Sequence, residues 1–199
     1  MRMYLIRHGA TQGNLEHRYV GRTDEGILES EKGRLRERGR AIPRLDGIFV
    51  SPYLRCRQTA KAFFCNSFQE AKGQCPVEVV EGLREMDFGE FEYKNYQELS
   101  ENPDYQNFID SGGKAGFPGG EGLEAFQSRC QGAFLRCLQK ASESRWEQVG
   151  ALVHGGTIMA VMERFCRPQK GYYEYQVANG CGYLLEIEGM KIKIVEDIV

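Results

Sequence analysis

The sequence predicts an α/β fold: a three-layer α/β/α sandwich with a mostly parallel central sheet and helices on both faces. Two observations carry this expectation. Short apolar runs of strand length alternate with longer segments of helical period along the chain. The 199 residues are 41% hydrophobic and 27% charged, enough to bury a core without metal or disulfide staples. No internal repeat, linker or low-complexity stretch interrupts the pattern, so residues 1–199 read as one domain.

Taken in order, Tyr4-Leu5-Ile6 reads as the first strand, ending at Arg7-His8-Gly9. Residues 30–41 are charged and helical in character, and Gly47-Ile48-Phe49-Val50 is the second strand. Ser51-Pro52 then predicts a helix start, with Ser as N-cap and Pro at the first helical position. Val77 to Val80 is a short third strand. Residues 85–120 are less regular, and Gly112-Gly113 and Pro118-Gly119-Gly120 mark loops within them. From Glu121, apolar residues recur every three or four positions through Leu123, Phe126, Cys130, Phe134, Cys137 and Ala141, which predicts a long amphipathic helix. Val149 to Val153 is another buried strand, ending at His154-Gly155-Gly156, with a helix over Ile158 to Phe165. The tail predicts a hairpin, Gly182 to Ile187 and Lys191 to Val195, turning around Gly189.

Composition excludes several function classes. Lys plus Arg number 26 against 28 Asp plus Glu, a net charge of −2 that gives no reason to expect nucleic acid or an anionic membrane as partner. No apolar run approaches the ~20 residues a bilayer span requires. The N-terminal apolar stretch is too short for a signal peptide, and a cytoplasmic protein is expected. Seven cysteines (56, 65, 75, 130, 137, 166, 181) without an export signal read as reduced thiols. No Cys-x-x-Cys or His-x-x-x-His pair is present, so no metal or other cofactor is expected.

Two of the three histidines, His8 and His154, stand at the C-terminal ends of predicted strands, each followed by Gly. That edge of an open α/β sheet is where ligands bind. Arg7 beside His8 suits a phosphoryl group, which guanidinium binds through paired charge-assisted hydrogen bonds, and nearby cations keep an imidazole neutral and nucleophilic. Arg55 falls one turn into the helix expected after Ser51-Pro52 and offers a second guanidinium, and Asn14 an amide donor. Arg57 and His17 read as surface residues.

These residues stand in four motifs: Arg7-His8-Gly9-Ala10-Thr11-Gln12-Gly13-Asn14 with Tyr19-Val20-Gly21-Arg22-Thr23-Asp24; Ser51-Pro52-Tyr53-Leu54-Arg55-Cys56-Arg57; Glu85-Met86-Asp87-Phe88-Gly89-Glu90-Phe91-Glu92; and Leu152-Val153-His154-Gly155-Gly156. Their sequence and order resemble the histidine phosphatase superfamily, in its phosphoglycerate-mutase-like branch, from residue 2 to about 160. The resemblance implies that fold and a phosphohistidine mechanism. His8 would be the nucleophile, with Arg7, Arg55 and His154 completing the phosphate pocket. Glu85 would donate a proton to the leaving oxygen and then activate water, with a pKa raised by the bound phosphate dianion. Asn14, Thr11, Gly21, Arg22 and Gly155 would be substrate contacts.

Within the family, Phe88-Gly89-Glu90-Phe91-Glu92 and Phe117-Pro118-Gly119-Gly120-Glu121 resemble the short phosphatases, α-ribazole phosphatases in particular. A small-molecule phosphate ester, such as α-ribazole 5′-phosphate of cobalamin assembly, is thus the expected partner, with the chain a monomer or homodimer. A phosphoglycerate mutase is the alternative, and a non-catalytic phospholigand-binding module a second one. Ala10 stands where the family often has Glu, Tyr93 where it often has Gly, and the stretch from Asp24 to Gly33 is longer than its pattern. Cys130 to Arg136 matches the Cys-x5-Arg spacing of cysteine-dependent phosphatases, but within a predicted helix whose backbone N–H groups cannot converge on phosphate.

Overall fold

In a computed structural model that describes residues 1–68, 75–113 and 115–199, one six-stranded sheet organises the chain. The strands are β1 (Arg2–Arg7), β2 (Gly47–Val50), β3 (Val77–Val79), β4 (Gln148–Val153), β5 (Gly182–Glu188) and β6 (Lys191–Ile198), in spatial order β3-β2-β4-β1-β5-β6. The first four in that order are mutually parallel, while β5 pairs antiparallel with both β1 and β6. The expected C-terminal hairpin is thus what makes a mostly parallel sheet mixed.

Strand alternation sends side chains to two different cores. Met3, Leu5, Phe49, Val149, Ala151 and Val153 pack with Phe134, Cys137, Ile158 and Met162. Those last four belong to helices α5 (Leu123–Glu143) and α6 (Gly155–Phe165). Tyr4, Ile6, Ile48, Val50 and Leu152 face the other way, onto Leu35, Cys56, Ala60 and Phe63 of α2 (Glu29–Gly39) and α3 (Leu54–Phe63). Helices therefore cover both faces, as expected of three layers. Two short helices, α1 (Gln12–Leu15) and α4 (Pro103–Asp110), lie in the connections beyond the strand ends.

Two sequence expectations change. Ser51 does not cap α3 and Pro52 is not its first residue: the helix starts at Leu54, after Tyr53 in extended backbone. The Ser51 hydroxyl instead lies 2.7 Å from His154 Nε2, and Asp24 Oδ1 accepts the free Leu54 N–H at 2.6 Å. A cap from a distant loop replaces the local one. The helix expected from Ile158 begins at Gly155, directly after the strand. Among the described residues no helix is long and apolar enough to cross a membrane.

Candidate active site

Register assembles the site. β1 and β4 run parallel with Arg7 opposite Val153, so the next residue on each strand, His8 and His154, leaves the sheet beside the other. Their ring centroids are 5.2 Å apart at an interplanar angle of 65°. β2 pairs Val50 with Leu152, which delivers Ser51 to the same edge. Gly9 N donates to Thr59 Oγ1 at 2.9 Å, fixing the turn after His8 against α3.

His8 is 3% exposed. Its Nδ1 lies 2.8 Å from the Gly9 carbonyl, a partner that can only accept, so the proton belongs on Nδ1 and the Nε2 lone pair is free. Burial, then the Arg55 and Arg7 cations, hold its pKa well below the usual imidazole range. That is the neutral form a nucleophile needs. His154 is also held neutral, by burial and by Arg55. Arg55 Nε donates to its Nδ1 at 3.3 Å, which leaves Nε2–H for Ser51 Oγ.

Arg55 is fully buried yet rests on peptide carbonyls rather than on a carboxylate. Its Nη1 donates to Thr23 O at 2.7 Å and its Nη2 to Gly21 O at 2.8 Å, while the guanidinium lies 4.6 Å from the Tyr53 ring centroid. No acid neutralises it through these bonds, so its charge remains available to an anion. Arg7 Nη1 donates to Val177 O at 2.8 Å. Its Nε is buried without a hydrogen-bond partner among the described residues. An orphaned cationic donor beside two neutral imidazoles and a second guanidinium is a cradle for a tetrahedral oxyanion.

Glu85 closes the site from the far side. Met86 N donates to its Oε1 at 3.0 Å, and Gly156 N, in the first turn of α6, to its Oε2 at 3.1 Å. Burial still raises its pKa, outweighing both N–H groups and the Arg55 and Arg7 charges. The rise thus exists before any phosphate arrives and does not depend on the bound dianion expected from the sequence. Gly156 has to be glycine here, because a Cβ would sit 2.4 Å from Glu85 Oε1.

The remaining expected contacts separate into two groups. Gly155, where a Cβ would lie 3.4 Å from Arg7 Nε, belongs to the cradle. Asn14 lies nearby, with Oδ1 accepting from Asn179 Nδ2 at 3.0 Å while that amide also donates to His8 O at 3.1 Å. Thr11 is fully buried and its hydroxyl caps α1. Gly21 N donates to Glu92 Oε1 at 3.0 Å, and a Cβ at Gly21 would meet Met86 O at 2.1 Å. Thr11 and Gly21 therefore hold loops that carry the site. Arg22 lies on the rim, exposed and 3.6 Å from Asp87 Oδ2.

The sequence does not reveal Ser51 as a partner of His154, nor Asn179 at all; Glu92 stands in the third motif, but its hold on Gly21 and Thr23 is not legible there. Ser51 before Pro52 has the local signature of a helix cap, which masks its role. Asn179-Gly180 had only the signal of an ordinary turn. Arg57 and His17 are exposed, as expected, and Cys130 is buried on α5 with its thiol pushed up to about 12. Among the described residues no cluster of three or more His, Cys, Asp or Glu could hold a metal ion.

Beyond Glu85 a cavity of about 330 Å³ opens, lined by Tyr19, Phe88, Phe108, Phe117, Phe126, Met159, Tyr172 and Tyr173 among others. Its walls are an aromatic cluster: the Phe117 centroid lies 5.0 Å from Phe88, 4.7 Å from Phe108 and 6.0 Å from Tyr19. Among the described residues its lining holds no Arg, Lys or His.

Known proteins resemble this chain in sequence and fold. An Escherichia coli (strain K12) adenosylcobalamin/α-ribazole phosphatase is 26% identical over 196 residues, 94% of this chain and 90% of that protein. A probable phosphoglycerate mutase of Klebsiella pneumoniae is 31% identical over 150 residues, 73% of this chain and 66% of that protein. The crystal structure of an α-ribazole phosphatase from Shigella flexneri superposes with a TM-score of 0.83 at 21% identity, covering 100% of this chain and 96% of that one, and so shares the fold. The sequence profile of the histidine phosphatase superfamily (branch 1) matches residues 3–197. The chain belongs to the histidine phosphatase superfamily, branch 1.

Proposed function

We propose that the chain is a metal-independent phosphatase that hydrolyses a small-molecule phosphomonoester through a phosphohistidine on His8. The observation that carries this reading is the pairing of a neutral, buried His8 with an orphaned Arg7 Nε and a half-buried Glu85 whose pKa desolvation raises. Arg7, Arg55 and His154 hold the phosphoryl oxygens. The His8 Nε2 lone pair forms a P–N bond as the ester P–O bond breaks, and the Glu85 proton passes to the leaving oxygen. The carboxylate so formed takes a proton from water; the water oxygen bonds to phosphorus, the P–N bond breaks and orthophosphate leaves. The Gly9 carbonyl holds the Nδ1 proton throughout, so each turnover ends with the imidazole as it began.

For the organic part of the substrate, α-ribazole 5′-phosphate is the reading supported by the E. coli relative and by the cavity itself. An aromatic chamber beside the acid suits a leaving group that carries a flat ring system. The Klebsiella relative favours a second reading, a phosphoglycerate mutase. A mutase must hold the carboxylate of its substrate as well as the phosphate, and among the described residues the apolar aromatic wall supplies no cation for it. Phosphate release from α-ribazole 5′-phosphate, 3-phosphoglycerate, sugar phosphates and phosphotyrosine, with chelator present and His8→Ala as control, tests the proposal. We expect α-ribazole 5′-phosphate to be preferred and the mutant to be silent. Isomerisation of 3-phosphoglycerate without phosphate release would establish the mutase. Identical wild-type and mutant traces would leave a binding module.

A further inference from the structure

We infer that Arg129, tied to Glu121, is the positioning residue for the proton donor Glu85; this rests on the reading of Glu85 as the acid. Residues 85–88 belong to no helix or strand, so no ladder of backbone hydrogen bonds fixes the place of the carboxyl group. Arg129, two turns into α5, supplies what the backbone lacks. Its Nη1 donates to Gly82 O and Arg84 O, both at 3.0 Å, and its Nη2 to Glu85 O at 3.3 Å. Glu121 holds the other edge of the same fork, with Oε1 2.8 Å from Nε and Oε2 2.5 Å from Nη2. All five guanidinium N–H groups are thereby used, three of them on the segment that ends at Glu85.

The pair is mostly buried, with side-chain exposures of 17% for Arg129 and 16% for Glu121. Glu121 N also donates to Asp87 O at 2.9 Å, so the segment is gripped on both sides of Glu85. A lysine has three donors on one nitrogen and cannot span these carbonyls. Neither side chain lines the cavity beside Glu85, which is why this is positioning and not proton transfer. A displacement of an acid by about 1 Å costs on the order of 10²-fold in rate, so a clamp of this kind has a measurable kinetic signature.

The test compares 2-phenylethyl phosphate, whose alkoxide needs a proton to leave, with p-nitrophenyl phosphate, whose phenolate does not. Arg129→Met, Glu121→Gln, Glu85→Gln and the double variant Glu85→Gln/Arg129→Met are assayed on both, and their melting is followed by circular dichroism. We expect Arg129→Met to lower kcat/KM, which reads the first phosphoryl transfer and not the shared hydrolysis of the phosphohistidine, about tenfold or more on the alkyl ester and less than about threefold on the aryl ester. In the Glu85→Gln background the same change should cost less than about twofold, because two residues acting through one proton are not additive. Glu121→Gln should give the same selective loss at smaller size, and it carries the test if Arg129→Met does not fold. Equal losses on both esters, or full additivity with Glu85→Gln, would overturn the positioning role. If Glu85→Gln itself slows both esters alike, the acid assignment falls first and the positioning role with it.

Discussion

The proposed phosphate cradle and the proposed leaving-group cavity meet at Glu85 but are built by opposite means. The cradle sits on the ends of β1, β4 and β2, where register alone sets His8, His154 and Ser51 side by side. Its groups are charged or polar, and most are buried to a few per cent exposure. The cavity is walled by α4, none of whose residues is fully buried, by the first turns of α5 and α6, and by the segments around Phe88, Phe117 and Tyr172. Aromatic contacts, edge-to-face between Phe88 and Phe117 and between Phe91 and Phe117, join these pieces. A rigid half for the group common to all phosphate esters, joined to an adaptable half for the part that differs, lets one fold serve many substrates.

Mutations should divide along the same line. His8→Ala, the largest expected effect, should lower kcat/KM by at least about 10⁴-fold on every ester alike, since no covalent route remains. Phosphate release across the substrate panel measures it, and a loss that varied with the leaving group would break the division. Glu85→Gln stands on the boundary. It should cost about 10²-fold in kcat/KM on alkyl esters and little in kcat/KM on p-nitrophenyl phosphate, whose leaving group needs no proton. The Glu85 pKa is raised and its protonated form is the proposed donor, so wild-type kcat/KM on alkyl esters should fall as pH rises through that raised pKa, and this limb should vanish in Glu85→Gln.

Phe117→Ala lies wholly in the cavity, where it removes contacts with Phe88 and Phe108. We expect KM for esters of ring-bearing alcohols to rise about tenfold, with short alkyl phosphates affected less, the scale of a lost aromatic contact in a binding pocket. An equal rise for both would show that the cavity does not select the leaving group.

The smallest effect concerns stability. His8 and His154 are buried with pKa values held below their ordinary range, so in mild acid the unfolded chain binds protons that the folded state refuses. The stability their neutral forms provide is complete above the unfolded imidazole pKa of about 6.5 and is lost as pH falls below it. Each histidine contributes a slope of at most about 1.4 kcal/mol per pH unit. Urea unfolding at pH 7.5, 6.5 and 5.5 should show this loss, and His8→Ala should flatten it.

Tyr93 shows how far local sequence can mislead about cost. The family often has glycine there, and the position indeed has φ of 60°, a backbone that side chains with a Cβ seldom adopt. Tyr93 tolerates it because its hydroxyl donates to Glu25 Oε2 at 3.1 Å and Arg18 lies 5.2 Å over its ring. Glycine is thus replaceable when long-range contacts compensate for the strain.

The sequence by itself determined the α/β architecture, because apolar runs of strand length between helical periods allow few other folds. It also determined the cradle, because residues that must lie at strand ends stand next to the strands in the chain: His8 follows β1 and His154 follows β4. Only the tertiary structure decided the α3 boundary, where Ser51 reaches His154 across 103 residues and Asp24 supplies the cap. It alone decided that burial raises the Glu85 pKa and that Arg129 clamps the segment carrying it. Hydrogen bonds between residues distant in the chain, and the exclusion of water around them, have no local period, so no pattern of neighbours reports them.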